Sequence, residues 1–365
     1  MTRVAILTPT LRPADAVSND VLTMSRVLRA RGHDVAIFSD SSSVGGEPEE
    51  SLATVLSYLQ EPTDVLIYHH SIGWEDGIEI FKAASCRKIV KYHNVTPPEF
   101  FVGISERHRH LCETGRSQLK EIVSAGPELY MAASAFNLSD LIAAGGEIHK
   151  SVVVPPFNQA DELLAGPANF EVLDKYDGSS VNLLTVGGVR PNKGHADLID
   201  AFALYFYAFN GQARLFIVGA KDEAYKAYAA SLRKLMKAWS IRSRIVFTGE
   251  VALDSLKSYY LLADAMLMTS EHEGFAVPLV EAMAMKVPIV AYASTAIPET
   301  ANDAALIWYE RDPRLMAQSI DFLQENEDAR MEIVYRGSRR YEENFSNHAI
   351  ETKFLEATNQ AGFAF

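Results

Sequence analysis

Two carboxylates in one short run carry the most specific chemistry in the chain: Thr269-Ser-Glu-His-Glu273-Gly-Phe-Ala-Val-Pro-Leu-Val-Glu281-Ala-Met-Ala284. The apolar stretch 265–268 reads as a strand, a loop runs through Gly274, and Pro278 suits the first position of a helix, where its missing N–H costs nothing. Glu273 then lies in the loop and Glu281 in the first helical turn. The N–H groups around Phe275, Ala276 and Val277 open from a helix N-terminus, a ready place for phosphate. Acids beside an anion site look contradictory until their targets are considered. Acceptor-only groups are what the hydroxyls of a sugar or ribose require, so the run describes a ligand with phosphate in its middle and hydroxyls at both ends. An isolated pair of acids at this spacing is ordinarily an exposed loop and helix. The Gly-Phe after the first acid, and the Pro and Ala-Met-Ala around the second, argue for a site.

A second run, Val186-Gly-Gly-Val-Arg190-Pro-Asn-Lys193-Gly194, pairs with it. Gly187 and Gly188 let backbone approach a ligand closely. Arg190 and Lys193 then offer one forked and one point-like cation, suited to a diphosphate and to the charge of a departing one. Lys221, after Gly219, is a further candidate cation. In the first half, Tyr92-His93-Asn94 and His69-His70 each end a strand.

These segments need elements to position them. Short β-branched runs alternate with amphipathic stretches throughout, the pattern of an α/β protein with parallel sheets. Strands are expected at 4–8, 34–38, 65–68, 88–92, 129–132 and 151–154, then at 181–186, 214–218, 244–247, 265–268, 288–292 and 304–308. Helices are expected between them, for example 19–31, 196–209 and 253–262, with a largely helical tail from 312 to 357. Pro155 and Pro156 break the alternation, and 157–178 reads as irregular. The domains are therefore drawn as 1–156, 157–345 and a terminal helix within 346–365 packing back on the first. Two doubly wound, Rossmann-like halves place ligands at the carboxyl ends of their strands, in a cleft between the two.

Composition bounds the class. The chain has 365 residues, 48% of them hydrophobic and 22% charged, enough for two cores. A net charge of −13 argues against nucleic acid as the main partner. Cys86 and Cys112 form neither a metal-ligand spacing nor a disulfide framework, which fits a reducing compartment. No apolar stretch approaches the ~18 residues of a membrane span, and the N-terminal run is too short for a signal peptide. The expectation is a cytoplasmic protein, with peripheral contact at the inner face of the membrane left open. The basic residues between Phe100 and Lys120 are diluted by Glu99, Glu106 and Glu113 and read as a solvated helix.

The glutamate run resembles the motif of the GT4 glycosyltransferases, close to Ser-x-x-Glu-Gly-Phe-Gly-x-Pro-x-x-Glu-Ala-Met-Ala. The resemblance covers the second half and, more weakly, the first. It implies a GT-B fold, a nucleoside-diphosphate sugar donor, retention of anomeric configuration and no metal cofactor. Carried over residue by residue, Glu273 meets the transferred sugar and Glu281 the ribose, with Gly274, Phe275, Ala276 and Val277 beside the donor. Gly188, Arg190 and Lys193 take the diphosphate, and Gly249 and Val251, in Phe247-Thr-Gly-Glu-Val, meet the base through backbone. His93 orients the sugar. Two departures stand out: Ala276 replaces a common glycine, and the first loop, 10–19, lacks a glycine-rich turn. Asp15, Ser18, His69 and Asn94 are the candidate contacts on the acceptor side.

The expected reaction is transfer of a hexose from GDP-mannose or UDP-glucose to a glycan, lipid-linked or small-molecule acceptor, as in polysaccharide or glycoconjugate biosynthesis. Glu273 holds sugar hydroxyls while Arg190 and Lys193 take up leaving-group charge. The alternatives are a catalytically inactive nucleotide-sugar-binding partner subunit and a GT-B nucleotide-sugar epimerase. The first strand leads into Thr-Pro-Thr-Leu-Arg-Pro and not into G-x-G-x-x-G, which disfavours a nicotinamide enzyme.

Overall fold

The computed structural model describes residues 2–13, 15–44, 51–176, 178 and 180–365. The chain forms two compact units. The first comprises Met1–Glu99, Arg107–Asn158 and Phe345–Phe365; the second comprises Phe100–Glu106 and Gln159–Asn344.

The first unit is built on β1 (Arg3–Leu11), β2 (Asp34–Ser42), β3 (Val65–His70), β4 (Arg87–Tyr92), β5 (Leu129–Ala132) and β6 (Ser151–Val153). They form one parallel sheet in the order β2-β1-β3-β4-β5-β6. Every residue of β3 is buried, as expected of a strand covered by helices on both faces. Helix Ala16–Ala30 begins three residues earlier than its apolar period suggests. The side chain of Asp15 caps it by accepting the Ser18 N–H. The final helix, Asn347–Gln360, contributes Ile350, Phe354 and Ala357 to a core shared with Val4, Ile67, Val154 and Phe157. Asn158 ties the segment leaving this unit to the one returning. Its Nδ2 donates to the Phe345 carbonyl (3.0 Å), and its N–H donates to Asn347 Oδ1 (3.2 Å).

The second unit has β7 (Asn182–Val186), β8 (Arg214–Val218), β9 (Ile245–Gly249), β10 (Ala265–Met268), β11 (Ile289–Tyr292) and β12 (Leu306–Trp308). These too are all parallel, in the order β12-β11-β10-β7-β8-β9. The sheet order reverses between β7 and β10. In an open α/β sheet that switch point is where two loops diverge and leave room for a ligand. The stretch 157–178, expected to be irregular, contains helices Ala160–Ala165 and Phe170–Tyr176. Both are only one to two turns long, too short for their periodicity to stand out from a proline- and glycine-bounded segment. Phe100–Glu106 is also a departure. It belongs to the second unit, where the Phe101 ring stacks on Tyr225 at 5.9 Å between centroids.

Candidate functional site

The two chemical runs of the second unit leave from adjacent strands, the first from β7 and the second from β10, on either side of the switch point. The backbone holds them together. Asn192 Nδ2 donates to the His272 carbonyl (3.1 Å), and the Asn192 carbonyl accepts the Glu271 N–H (2.8 Å). Gly194, at φ +63°, starts helix His195–Ala208. A Cβ there would stand 2.0 Å from the Thr269 carbonyl oxygen, so only glycine allows the loops to close this far. Arg311 ties the start of that helix to the glutamate loop, paired with Asp197 at 2.6 Å and with Glu271.

This scaffold brings Lys193 and Glu273 together. Lys193 Nζ donates to Glu273 Oε1 at 2.6 Å, with the carboxylate side chain 10% exposed and the lysine 25%. Thr295 fixes the carboxylate's backbone, its hydroxyl accepting the Glu273 N–H (2.8 Å) and donating to the Glu273 carbonyl (2.7 Å). Arg190 lies exposed two residues after Gly188. A chain of close backbone contacts extends the site across the sheet: Gly187 N–H to Val218 O (2.8 Å), then Gly219 N–H to Gly249 O (3.0 Å). Gly249 thus ends the neighbouring edge strand, β9, and the half-buried Val251 follows it. Lys221 lies over the Phe247 ring at 4.8 Å.

Helix Val277–Ala284 follows the glutamate loop. Ala276 caps it at φ 73° and ψ 64°, in the left-handed region. The glycine common at this position is thus favoured by backbone conformation as well as by space beside a donor, and the alanine carries strain of about 1 kcal/mol. Pro278 is the second helical residue and Glu281 the fifth, so Glu281 opens the second turn and not the first as expected. The helix begins one residue earlier because the left-handed Ala276 already turns the chain. Glu281 is 8% exposed and accepts a 2.7 Å hydrogen bond from the Tyr260 hydroxyl. Burial raises its pKa above the ordinary 4.5, and the Tyr260 bond offsets part of that rise. Tyr260 has no sequence signal, because nothing in the run distinguishes it from the adjacent Tyr259 on helix Leu253–Leu262.

The first-unit candidates divide. His93, after β4, is 7% exposed at its side chain and bonded to the fully buried His69, Nδ1 to Nε2 at 3.0 Å. His69 is thus closed off from solvent in this structure, with His93 against its Nδ1. Asp15 and Ser18 are occupied as a helix cap, the Ser18 hydroxyl donating to Asp15 Oδ2 at 2.8 Å and accepting the Arg12 N–H at 2.9 Å. Asn94 sits at φ 80° and donates to Asn137 Oδ1 (3.0 Å) and Asp140 Oδ2 (3.2 Å), shaping the turn after β4. Sequence reasoning missed Asp20 and Lys91, both fully buried beside the histidine pair. Their spacing along the chain gives no hint of the cluster. Asp20, His69 and His93 present ligand-type atoms within 4.8 Å of one another, a grouping not visible in the sequence spacing.

Residues 169–340 match the model of the family described as glycosyl transferases group 1. Among curated relatives, the GDP-mannose-dependent alpha-(1-6)-phosphatidylinositol monomannoside mannosyltransferase of Mycobacterium tuberculosis is 29% identical over 194 residues, 51% of this chain and 49% of its own. The D-inositol 3-phosphate glycosyltransferase of Geodermatophilus obscurus is 27% identical over 209 residues, 55% and 45% respectively. The chain spans about half the length of the curated relatives it matches. Among solved structures, Anabaena HepE in complex with UDP and glucose superposes with a TM-score of 0.79 at 16% identity, covering 98% of this chain and 100% of that one. Sucrose-phosphate synthase from Thermosynechococcus elongatus gives 0.77 at 16% identity, over 99% of each chain. The fold is thus that of the two-unit GT-B glycosyltransferases. The family match lies within the second unit.

Proposed function

We propose that this protein is a retaining glycosyltransferase that moves a hexose from a nucleoside-diphosphate sugar to a glycan or lipid-linked acceptor. One observation carries the reading: Lys193 and Glu273 meet at 2.6 Å at the switch point of the second sheet, beside the start of helix Val277–Ala284. A cation, a largely buried carboxylate and a helix N-terminus then follow adjacent strands, the last two on one loop. They suit a diphosphate joined to a hydroxyl-bearing ring.

In this reading the diphosphate lies against Lys193, Arg190 and the helix start, and the sugar hydroxyls bond Glu273. The diphosphate displaces the carboxylate from Lys193 as it binds, so the ion pair is a resting state. As the glycosidic bond breaks, negative charge grows on the leaving diphosphate, and the two cations stabilise it. The acceptor hydroxyl enters on the face the diphosphate leaves and gives its proton to a diphosphate oxygen. Glu281 holds the ribose, and the backbone around Gly249 and Val251 meets the base. His93 orients the sugar. The cations do work that a divalent metal performs in other transferases, and the reaction is proposed to run without one. GDP-mannose is the proposed donor, on the name of the Mycobacterium tuberculosis relative and on the mannosyl group that two further relatives' names print; UDP-glucose is the second choice, on the HepE complexes. The place of work is the cytoplasm. Among the described residues no helix is long and apolar enough to cross a membrane, and peripheral attachment fits a lipid-linked acceptor.

The deciding experiment incubates the protein with each nucleotide sugar, with and without EDTA, and follows nucleoside diphosphate release. Release from one donor, abolished in Glu273→Ala, supports the reading. Binding of a donor with no turnover toward any acceptor would establish the inactive-partner alternative, and epimerisation of the donor alone the epimerase.

A further inference from the structure

Four ionisable groups are buried together in the first unit, around the ends of β3 and β4. Asp20 Oδ1 accepts the Phe157 N–H at 2.8 Å, while Oδ2 has no hydrogen-bond partner although fully buried. That oxygen lies 3.4 Å from His93 Nε2, 3.7 Å from His69 Nδ1 and 4.0 Å from Lys91 Nζ. Lys91 donates to the carbonyls of Val154 and Pro155. The two imidazoles stack at 5.2 Å with 22° between planes and share the 3.0 Å contact from His69 Nδ1 to His93 Nε2.

A contact of that length between ring nitrogens holds one proton, and its owner can be worked out. Burial favours the neutral form of both rings. Were His93 the donor, His69 would carry its own proton on Nε2, which is buried without a partner. An unsatisfied buried N–H costs about 1–3 kcal/mol. Were His69 the donor, its Nε2 would keep only a lone pair, and its Nδ1–H would also face the Asp20 carboxylate. The approach of that carboxylate to the His93 Nε2 lone pair opposes this choice. The Lys91 ammonium beside the same oxygen weakens the opposition. The balance favours donation from His69. His93 must then bear its proton on Nδ1. Among the described residues that nitrogen bonds no protein group and is not one of the buried atoms left without a partner, so it is the ring edge that solvent reaches.

A metal ion is the competing occupant, since the three contacts of 3.0, 3.4 and 3.7 Å outline one face of a coordination shell. Two features disfavour it. The Lys91 ammonium stands 4.0 Å from the oxygen that would ligate. A ligating His69 would also present Nε2–H to no acceptor, whereas metal-bound histidines normally donate their second N–H.

We propose that His69 is a positioning residue that locks His93 as the Nδ1–H tautomer, making His93 a hydrogen-bond donor toward an electron-rich oxygen, a hydroxyl or phosphoryl oxygen of the sugar donor. The tautomer stands on the cluster alone; its use in transfer rests on the function proposed above. The test is long-range nitrogen–carbon correlation NMR on histidine-labelled protein near neutral pH, with His93 assigned through His93→Gln. Wild-type His93 is expected to show a protonated Nδ1 and a bare Nε2. His69→Asn, whose amide can donate from the same place, retains that state, and His69→Leu moves the proton to Nε2. With GDP-mannose and UDP-glucose, His69→Leu should lower kcat about tenfold or more at little-changed KM, with His69→Asn recovering most of it. A wild-type His93 protonated at Nε2 overturns the proposal even if His69→Leu does not fold. So does stoichiometric zinc in the purified protein that is lost in His69→Asn. A wild type inert toward every nucleotide sugar refutes the transferase reading and leaves the tautomer to be decided by the spectra.

Discussion

Replacing Tyr260 by phenylalanine removes one oxygen and changes little else, because the ring is fully buried and, among the described residues, its hydroxyl reaches only Glu281 Oε2 (2.7 Å) and, more loosely, the Pro278 carbonyl (3.4 Å). The bond to Glu281 is charge-assisted when the acid is ionised. Losing it leaves a buried carboxylate short of a donor, at about 1.5–3 kcal/mol. For a unit of this size about 1 kcal/mol lowers the melting temperature by roughly 2–4 °C, so the loss is roughly 3–12 °C at neutral pH. The pH dependence sharpens the test. Glu281 has a raised pKa, so the stability it contributes is greatest at low pH and is lost as pH rises from 4.5 through the folded value. Without the hydroxyl the folded pKa rises further, because the bond was lowering it. The difference between the two proteins must therefore be largest at neutral pH and shrink as pH falls toward 4.5. Melting curves of both proteins across that range decide it. Equal melting temperatures at neutral pH, or a gap that widens in acid, would show that Tyr260 does not support an ionised Glu281.

Lys193→Ala and Glu273→Ala should each lower donor turnover by about 10²–10³-fold, measured as nucleoside diphosphate release. A double variant much worse than the product of the singles would contradict their action as a pair. In a thermal-shift panel, a true donor at a hundred times its dissociation constant adds about 2.7 kcal/mol, and Glu281→Gln should reduce the shift given by the free nucleoside diphosphate. Gly194→Ala places a methyl 2.0 Å from the Thr269 carbonyl and should destabilise by about 2 kcal/mol or more in denaturant titration. Ala276→Gly, by contrast, relieves a left-handed alanine and should leave stability equal or up to about 1 kcal/mol higher.

The strands were legible because central parallel strands are continuous apolar runs bounded by turns, and β3, β5, β8 and β10 are nearly that simple. The two chemical runs of the second unit were legible because they follow strand ends in short motifs, and an α/β fold brings strand ends together. What escaped depends on contacts between residues far apart in the chain. Lys91 meets His69 only through the pairing of β4 with β3, and Asp20 reaches both from helix Ala16–Ala30, which packs on β1 and β2. Tyr260 meets Glu281 across two helices. Asp15 and Ser18 were legible as polar residues before a helix, but a cap and a ligand contact use the same residue types. There the structure gives both residues to the cap. Ala276 was noticed for its missing glycine, yet its left-handed conformation is a property of the folded turn alone.

The path of the chain also bears on the order in which the protein is made. The core of the first unit is not complete until Ile350 and Phe354 of helix Asn347–Gln360 are in place, both fully buried against strands formed from the first third of the sequence. The second unit draws its sheet from one continuous stretch, β7 to β12, and has its strands to hand earlier. On a ribosome the half that emerges first must therefore wait, with part of its apolar face uncovered, while the half that emerges second closes. The bond from Asn158 to the Phe345 carbonyl marks the late step in which the returning chain shuts the early domain. A truncation that removes only the last helix would expose that waiting state, leaving the second unit folded and the first open to chaperones and proteases.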